Sequence, residues 1–166
     1  HMEGIKSSQS VLMTADEIQR VLNVLSRFGV DVVKLTGGEP MLRPDILDIV
    51  QRLKRVDLRE ISMTTNGTRF SKLAYQLRDA GLSRVNISLH SLRRSRFRFI
   101  AGVDGYDEAL SAVKGAIDAR LVPVKLNMTL MRDVNDDEID DMIGFARELG
   151  GDDKVVLQLI EPVSYT

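Results

Sequence analysis

"VKLNMTL", residues 124–130, carries two messages in alternate positions. Lys125, Asn127 and Thr129 alternate with Leu126, Met128 and Leu130. Successive side chains of a strand point to opposite faces, so this run has one polar and one apolar face. The pattern recurs in "VVKL" (32–35), "EISMTTN" (60–66) and "RVNISLH" (84–90), and "VVLQLIE" (155–161) reads as a fifth strand. These runs are rich in β-branched residues and bounded by Gly, Pro or Asp. Lys34 and Thr36, then Ser62, Thr64 and Asn66, then Asn86, Ser88 and His90 fall on the polar side. Val33 and Leu35, Ile61 and Met63, and Val85, Ile87 and Leu89 fall on the other.

Amphipathic helical stretches separate the strands, near 14–28, 44–55, 71–81, 106–120 and 136–149. Thr14 with Glu17 makes a capping box for the first. Asn135, with Asp136 and Asp137 behind it, reads as the cap and charged first turn of the last. Gly29, Gly81 and Gly150 stand where glycines end helices. The alternation predicts an α/β fold with a parallel sheet and right-handed crossovers. A doubly wound sheet is apolar on both faces, and a closed eightfold barrel fills its interior with aliphatics. Four strands with a polar face instead predict a barrel-like sheet whose concave side is wet or ligand-filled. The alternative is a sheet with one solvent-exposed face. Amphipathic crossovers weigh against it, since crossovers of one hand would all cover the apolar side.

The 166 residues hold 23 basic and 24 acidic side chains, a formal charge of −1, so no global field demands nucleic acid or membrane. Cysteine is absent, which excludes disulfides and thiolate metal sites within the chain. No apolar run approaches the roughly 18 residues of a membrane span. His1-Met2 reads as a vector scar within a flexible start at 1–10, leaving 11–166 as one unit. A cytoplasmic location is expected.

"KLTGGEPMLRPD", residues 34–45, lies where the first strand ends and a helix begins. Gly37 and Gly38 allow positive φ and close approach of a ligand to bare backbone. Glu39 adds an acceptor there and Pro40 fixes the exit direction. A carboxylate beside open backbone suits a cationic amine, although an incidental glutamate in a tight turn is the plainer alternative. Neither a dinucleotide fingerprint nor a P-loop fits the spacing.

"TGGEPMLRPD", "TTNGT", "RVNISLHSL" and "VKLNMTLMRDVNDDEI" occur in that order with helices between them. Together they resemble the radical S-adenosylmethionine enzymes and, within them, the GTP 3′,8-cyclase family of molybdenum cofactor biosynthesis. "SLHSL" and "LQLIE" look most like its archaeal branch. The resemblance implies a partial TIM-like (β/α) barrel with parallel strands and outer helices, lacking its first strand and C-terminal region. It implies that Gly37, Gly38 and Glu39, with Asn86, Ser88 and the main chain at Val163, hold S-adenosylmethionine. It implies that Lys34, Thr64, Lys125 and Asn127 meet GTP. Lysine at 34, where relatives carry arginine, keeps charge but loses the bidentate fork. In the family, one-electron reduction of S-adenosylmethionine gives a 5′-deoxyadenosyl radical that takes hydrogen from C3′ of GTP before C3′ joins C8 of guanine. The two [4Fe–4S] clusters that support this need cysteine thiolates. This chain has none, so it reads as the middle of such a lyase, inactive by itself and unable to bind either cluster.

Some features stay open. His90 stands where bacterial relatives carry aspartate and reads as structural or as a base. Arg43 reaches a phosphate or caps the mouth. The basic "SLRRSRFRF" (91–99) reads as a short helix burying Phe97 and Ile100 with its arginines, Arg93 to Arg98, solvated, rather than as a nucleic-acid patch. An open edge at "VVKL" offers pairing to a second copy, so a homodimer is allowed for as a product of truncation. Two rival functions share parts of the pattern: another radical enzyme, peptide-modifying or heme-pathway, and a non-enzymatic ligand-binding domain.

Overall fold

The computed structural model describes residues 12–162. Five strands, β1 (Val32–Leu35), β2 (Glu60–Thr65), β3 (Arg84–Ser88), β4 (Val124–Thr129) and β5 (Val155–Ile160), form one sheet in the order β1-β2-β3-β4-β5. Every neighbouring pair is parallel. The helices are α1 (Ala15–Ser26), α2 (Ile46–Leu53), α3 (Phe70–Ala80), α4 (Arg94–Ala101), α5 (Tyr106–Asp118) and α6 (Ile139–Glu148). Strands laid down in sequence order with crossovers of one hand place their helices on one side of the sheet. That side takes the apolar strand face: Ile61, Met63, Val85, Ile87, Leu126 and Met128 are all buried, in one cluster with the inward stripes of α2, α3, α5 and α6. The result is a segment of a (β/α) barrel.

The α1 capping box forms as expected, with Thr14 Oγ1 accepting from the Glu17 N–H at 3.2 Å and the Glu17 carboxylate accepting from the Thr14 N–H at 2.8 Å. Each later strand leaves the sheet a residue or two before the apolar pattern ends, because the chain turns into the loops at the strands' C-terminal ends. Pairing persists there, as the Leu89 N–H still donates to the Asn127 carbonyl at 3.0 Å. The arginine-rich segment is the helix α4, with Phe97 buried and Ile100 half-buried. Asn135 does not cap a helix. A single 3₁₀ turn, Asp136–Glu138, intervenes before α6, and the Asn135 side chain is spent elsewhere. No helix among the described residues is long and apolar enough to cross a membrane.

The β2–α3 loop touches the first turn of α5 at Gly67. That residue has φ +96°, and a Cβ there would lie 2.8 Å from the Ala109 Cα and 2.9 Å from the Glu108 carbonyl oxygen. Both obstacles are backbone and cannot swing aside. Gly67→Ala is expected to cost roughly 2–4 kcal/mol from combined backbone strain and overpacking. A urea midpoint equal to that of the parent chain would refute this close contact.

Candidate functional site

The turn after β1 is open on its outer side and stitched down on its inner one. Gly37 has φ +132°, and neither Gly37 nor Gly38 has any atom within 4 Å of where a Cβ would stand. Pro40 and Met41 are buried. The Glu39 carboxylate folds back into the chain. Its Oε1 accepts from the Met41 N–H at 2.9 Å and the Thr65 hydroxyl at 2.8 Å, and its Oε2 accepts from the Asn66 N–H at 2.7 Å. Thr65 Oγ1 in turn accepts from the Gly67 N–H at 3.0 Å. "GGEP" and "TTNG" are therefore two halves of one hydrogen-bonded unit at the exits of adjacent strands. A carboxylate has about four acceptor positions. Three are used by the chain, which leaves one on Oε2.

Arg43 is engaged as well. Its Nε and Nη2 donate to the two Asp45 oxygens at 2.9 and 2.7 Å, and Nη2 also donates to the Met13 carbonyl at 2.9 Å. Pairing with Asp45 raises the guanidinium pKa and lowers that of the carboxyl. The residue ties α2's entry to the segment before α1, so its guanidinium is held within the chain rather than standing in solvent.

Strand register sorts the helix-free face into rows. Lys34, Ser62 and Arg84 form one; Thr64, Asn86 and Lys125 form the next, with Val156; Ser88, Asn127 and Gln158 form the third. Ser62 donates to the Val33 carbonyl at 3.1 Å, and Arg84 pairs with Glu60 at 3.2 Å. Among the described residues the side chains of Lys34, Thr64, Asn86, Ser88, Lys125 and Asn127 make no hydrogen bond or ion pair. Asn86 and Asn127 are nonetheless buried, at 5% and 8% exposure, so they sit deep between neighbours rather than projecting into solvent. Every expected site residue within the described chain lies on this face or on the turn beside it. Val163 lies outside the described residues. Beside the exits of β4 and β5, an open groove of about 650 Å³ is lined by Leu130, Arg132, Asp136, Leu159, Ile160, Glu161 and Pro162.

A second unit, missed by sequence reasoning, fixes the β3 exit. Asn135 is fully buried and donates to the carbonyls of His90 at 2.7 Å and Thr129 at 2.8 Å, while its oxygen accepts from the Met131 N–H at 2.7 Å. Glu138, also fully buried, accepts from the Ser91 hydroxyl at 2.8 Å, the Leu92 N–H at 2.9 Å and Arg96 at 2.8 Å. Burial would raise its carboxyl, but Arg96, Ser91 and Leu92 together hold it below the usual 4.5. The signal was present: Glu138 falls in helical phase with Met142, Ala146 and Leu149, and a carboxylate on a buried stripe demands partners. "NDDE" thus clamps "SLHSL" as "TTNG" clamps "GGEP".

His90 belongs to this unit. Its Nδ1 accepts from the Thr129 N–H at 3.2 Å and its ring stacks on Phe97 at 6.0 Å. Burial lowers its pKa and so favours the neutral imidazole, in which an accepting Nδ1 leaves the proton to Nε2. Arg93, Arg94 and Arg98 are exposed, as expected, and most of the run also forms surface ion pairs. Arg94 meets Asp104 and Asp107 and lies 5.2 Å from the Tyr106 ring centre, Arg96 meets Asp137 and Glu138, and Arg93 meets Asp137.

The family model described as "Radical SAM superfamily" matches residues 3–146. A protein of Thermoplasma volcanium named "Probable GTP 3′,8-cyclase" is 47% identical over 161 residues, 97% of this chain and 48% of that protein. One of the same name from Thermococcus kodakarensis is 48% identical over 97% of this chain and 50% of its own length. The chain spans about half the length of the curated relatives it matches. Among solved structures, HydG, a maturase of the [FeFe]-hydrogenase, superposes with a TM-score of 0.71 at 15% identity, over 98% of this chain and 39% of that one. The enzyme anSMEcpe, with bound AdoMet and a peptide, gives 0.66 at 15% identity, over 92% and 44%. These structures share the fold with this chain.

Glu138 has a consequence for acid stability. A carboxyl depressed in the folded state leaves the unfolded chain binding more protons between the two values. Its stabilisation is therefore complete above about pH 4.5 and is lost as pH falls through the folded value. Glu138→Gln is expected to flatten that part of the acid limb relative to the parent chain, read from urea midpoints between about pH 6 and pH 3. Superimposable limbs would mean that the carboxylate contributes nothing as an anion.

Proposed function

Because the chain belongs to the radical SAM superfamily, we propose that it is part of a GTP 3′,8-cyclase, a lyase that converts GTP to 3′,8-cyclo-7,8-dihydro-GTP in molybdenum cofactor biosynthesis. The observation that carries this reading is the identity of 47–48% to proteins of that name across nearly the whole chain. The helix-free face supports it chemically. Lys34 and Lys125 supply unpaired cations suited to a triphosphate, and Thr64 and Asn127 supply neutral polar contacts beside them. Gly37, Gly38, the free position on Glu39, Asn86 and Ser88 form the complementary set for S-adenosylmethionine, with its amine at the glutamate.

The residues present fit S-adenosylmethionine and do not fit an iron–sulfur cluster. The turn offers bare backbone and one carboxylate lone pair, whereas the chain contains no cysteine. Among the described residues no group of three His, Cys, Asp or Glu side chains could hold a metal ion. S-adenosylmethionine, when bound and reduced, supplies the hydrogen abstraction at C3′ of GTP. This chain's own work is to bind, orient and shield: the lysines fix the anionic end, the amides and hydroxyls fix the sugar and base, and the buried rows exclude water. The 166-residue chain alone is expected to be inactive.

Two measurements test this. Anaerobic reconstitution is expected to load no stoichiometric iron onto this chain, and cluster absorbance at one equivalent would overturn that part. The parent polypeptide, supplied with reductant, S-adenosylmethionine and GTP, is expected to yield 5′-deoxyadenosine together with the cyclised nucleotide. Deoxyadenosine without a GTP-derived product would retain the superfamily and reject the substrate.

A further inference from the structure

We propose that His90 is a positioning residue for the uncovered face: its neutral imidazole latches the exits of β3 and β4, holding the last row of that face at Ser88, and lets go on protonation. This rests on the reading of Ser88 as a ligand contact and adds to it a latch that answers to pH. The two strands run in register as far as Ser88 and Asn127. One further main-chain bond follows, from the Leu89 N–H to the Asn127 carbonyl at 3.0 Å. A parallel ladder continued by one step would bring the Thr129 N–H to the Leu89 carbonyl. That N–H instead donates to His90 Nδ1 at 3.2 Å. A side chain thus stands in for the last main-chain acceptor of the pair.

The ring is held from other sides too. It stacks on Phe97, which is buried and meets Tyr106 edge-on with 5.7 Å between ring centres. Asn135 donates to the carbonyls on both sides of the seam, at His90 and Thr129. Protonation turns Nδ1 from acceptor to donor. Two donors then face each other, and the Thr129 N–H loses its acceptor. The charged groups around the ring are spoken for or lie on the loops. On α4, Arg94 meets Asp104 and Asp107, and Arg96 meets Asp137 and Glu138 of the turn before α6, as does Arg93 with Asp137. Tyr106 donates to the Leu92 carbonyl. Arg98 on α4, Lys125 on β4, and Arg132, Asp133 and Asp136 after β4 complete the set. Burial, not a charged neighbour, lowers the ring below its usual 6.5. The unfolded chain therefore binds the proton first as pH falls. What the latch contributes is complete above about pH 6.5 and is lost as pH drops through the folded value.

The experiment compares this chain with His90→Asn, whose Oδ1 replaces Nδ1 as an acceptor that does not titrate, and with His90→Phe, which keeps a ring against Phe97 but no acceptor. Exchange protection of the Thr129 and Leu89 amides is read by NMR, corrected for the intrinsic pH dependence of exchange. The pH is lowered from about 8 until the imidazole nitrogen shifts show the ring charged. S-adenosylmethionine is titrated calorimetrically at both ends of that range. In the parent chain Thr129 protection is expected to fall about tenfold as the ring titrates, with Leu89 falling less, because one N–H is left without its acceptor. His90→Asn is expected to keep Thr129 protected at both ends, and His90→Phe at neither. Affinity for S-adenosylmethionine is expected to drop several-fold at the acid end in the parent chain and to hold in His90→Asn. Thr129 protection that ignores the ring's titration overturns the proposal, and that reading needs no variant to fold. An acid loss that His90→Asn shares in full overturns it as well, as does equal S-adenosylmethionine affinity at both ends in a parent chain whose latch has opened. If S-adenosylmethionine gives no heat with any of the three proteins, the reading of Ser88 as its contact fails, and the amide protection alone decides whether His90 holds the seam.

Discussion

A right-handed crossover between neighbouring parallel strands leaves its helix no choice of side. Five strands laid down in unbroken order place their covering helices on the same side, and the other face of the sheet goes without. Any reversal of order would have sent a helix across that second face and required it to be apolar. The alternation of Lys34, Ser62, Thr64, Asn86, Ser88, Lys125 and Asn127 with fully apolar partners is thus tied to the connectivity. Polar residues can occupy one side of every strand only because no crossover returns to cover them.

Strand ends are the weak point of such a sheet, since each must hand over to a loop without losing the alignment of its last residues. The molecule solves this twice with a buried or half-buried carboxylate reaching a neighbour's exit. Glu39 gathers Met41, Thr65 and Asn66, so that β1 and β2 end as one piece. Glu138, helped by Asn135, gathers Ser91, Leu92 and Arg96, so that β3 ends against the start of α6. Charge-assisted bonds to backbone N–H groups are stronger than neutral ones, and here they hold loops that would otherwise drift. Ser88 sits two residues before His90 and the clamp, which gives its hydroxyl a fixed height on the face.

Much of this was legible in the residues. The five strands and their polar face follow from a period of two, and the helices between them from apolar stripes, caps and terminal glycines. What could not be read depends on separation along the chain. Glu39 finds Thr65 and Asn66 across 26 and 27 residues, and Glu138 finds Ser91 across 47. No local pattern announces such a partner, so Glu39 read as an acceptor for a ligand or as incidental to its turn, and its bonds to Thr65 and Asn66 stayed hidden. Asn135 misled for a related reason. An asparagine ahead of two aspartates has the form of a helix cap, yet its amide is better used on the His90 and Thr129 carbonyls that would otherwise be left between two strand exits. Most of the arginines around α4 stay exposed as expected, but their acidic partners lie in other loops and could not be read from the segment itself.

The contrast between the clamps and the face they support is the most informative feature of the site. Wherever a polar group fixes the fold, its hydrogen bonds are complete; Glu138 and Asn135 are fully buried and fully engaged. On the uncovered side only part of the polar set is paired: Ser62 and Arg84 have partners, whereas the side chains of Lys34, Thr64, Asn86, Ser88, Lys125 and Asn127 meet none among the described residues. Burying the amides of Asn86 and Asn127 without pairing them lowers stability, and a sheet needed only as scaffold would gain by replacing them with aliphatics. A polar surface on paired strands, beside loops clamped by carboxylates, is held in place by the backbone, which is the arrangement that the proposed binding role calls for.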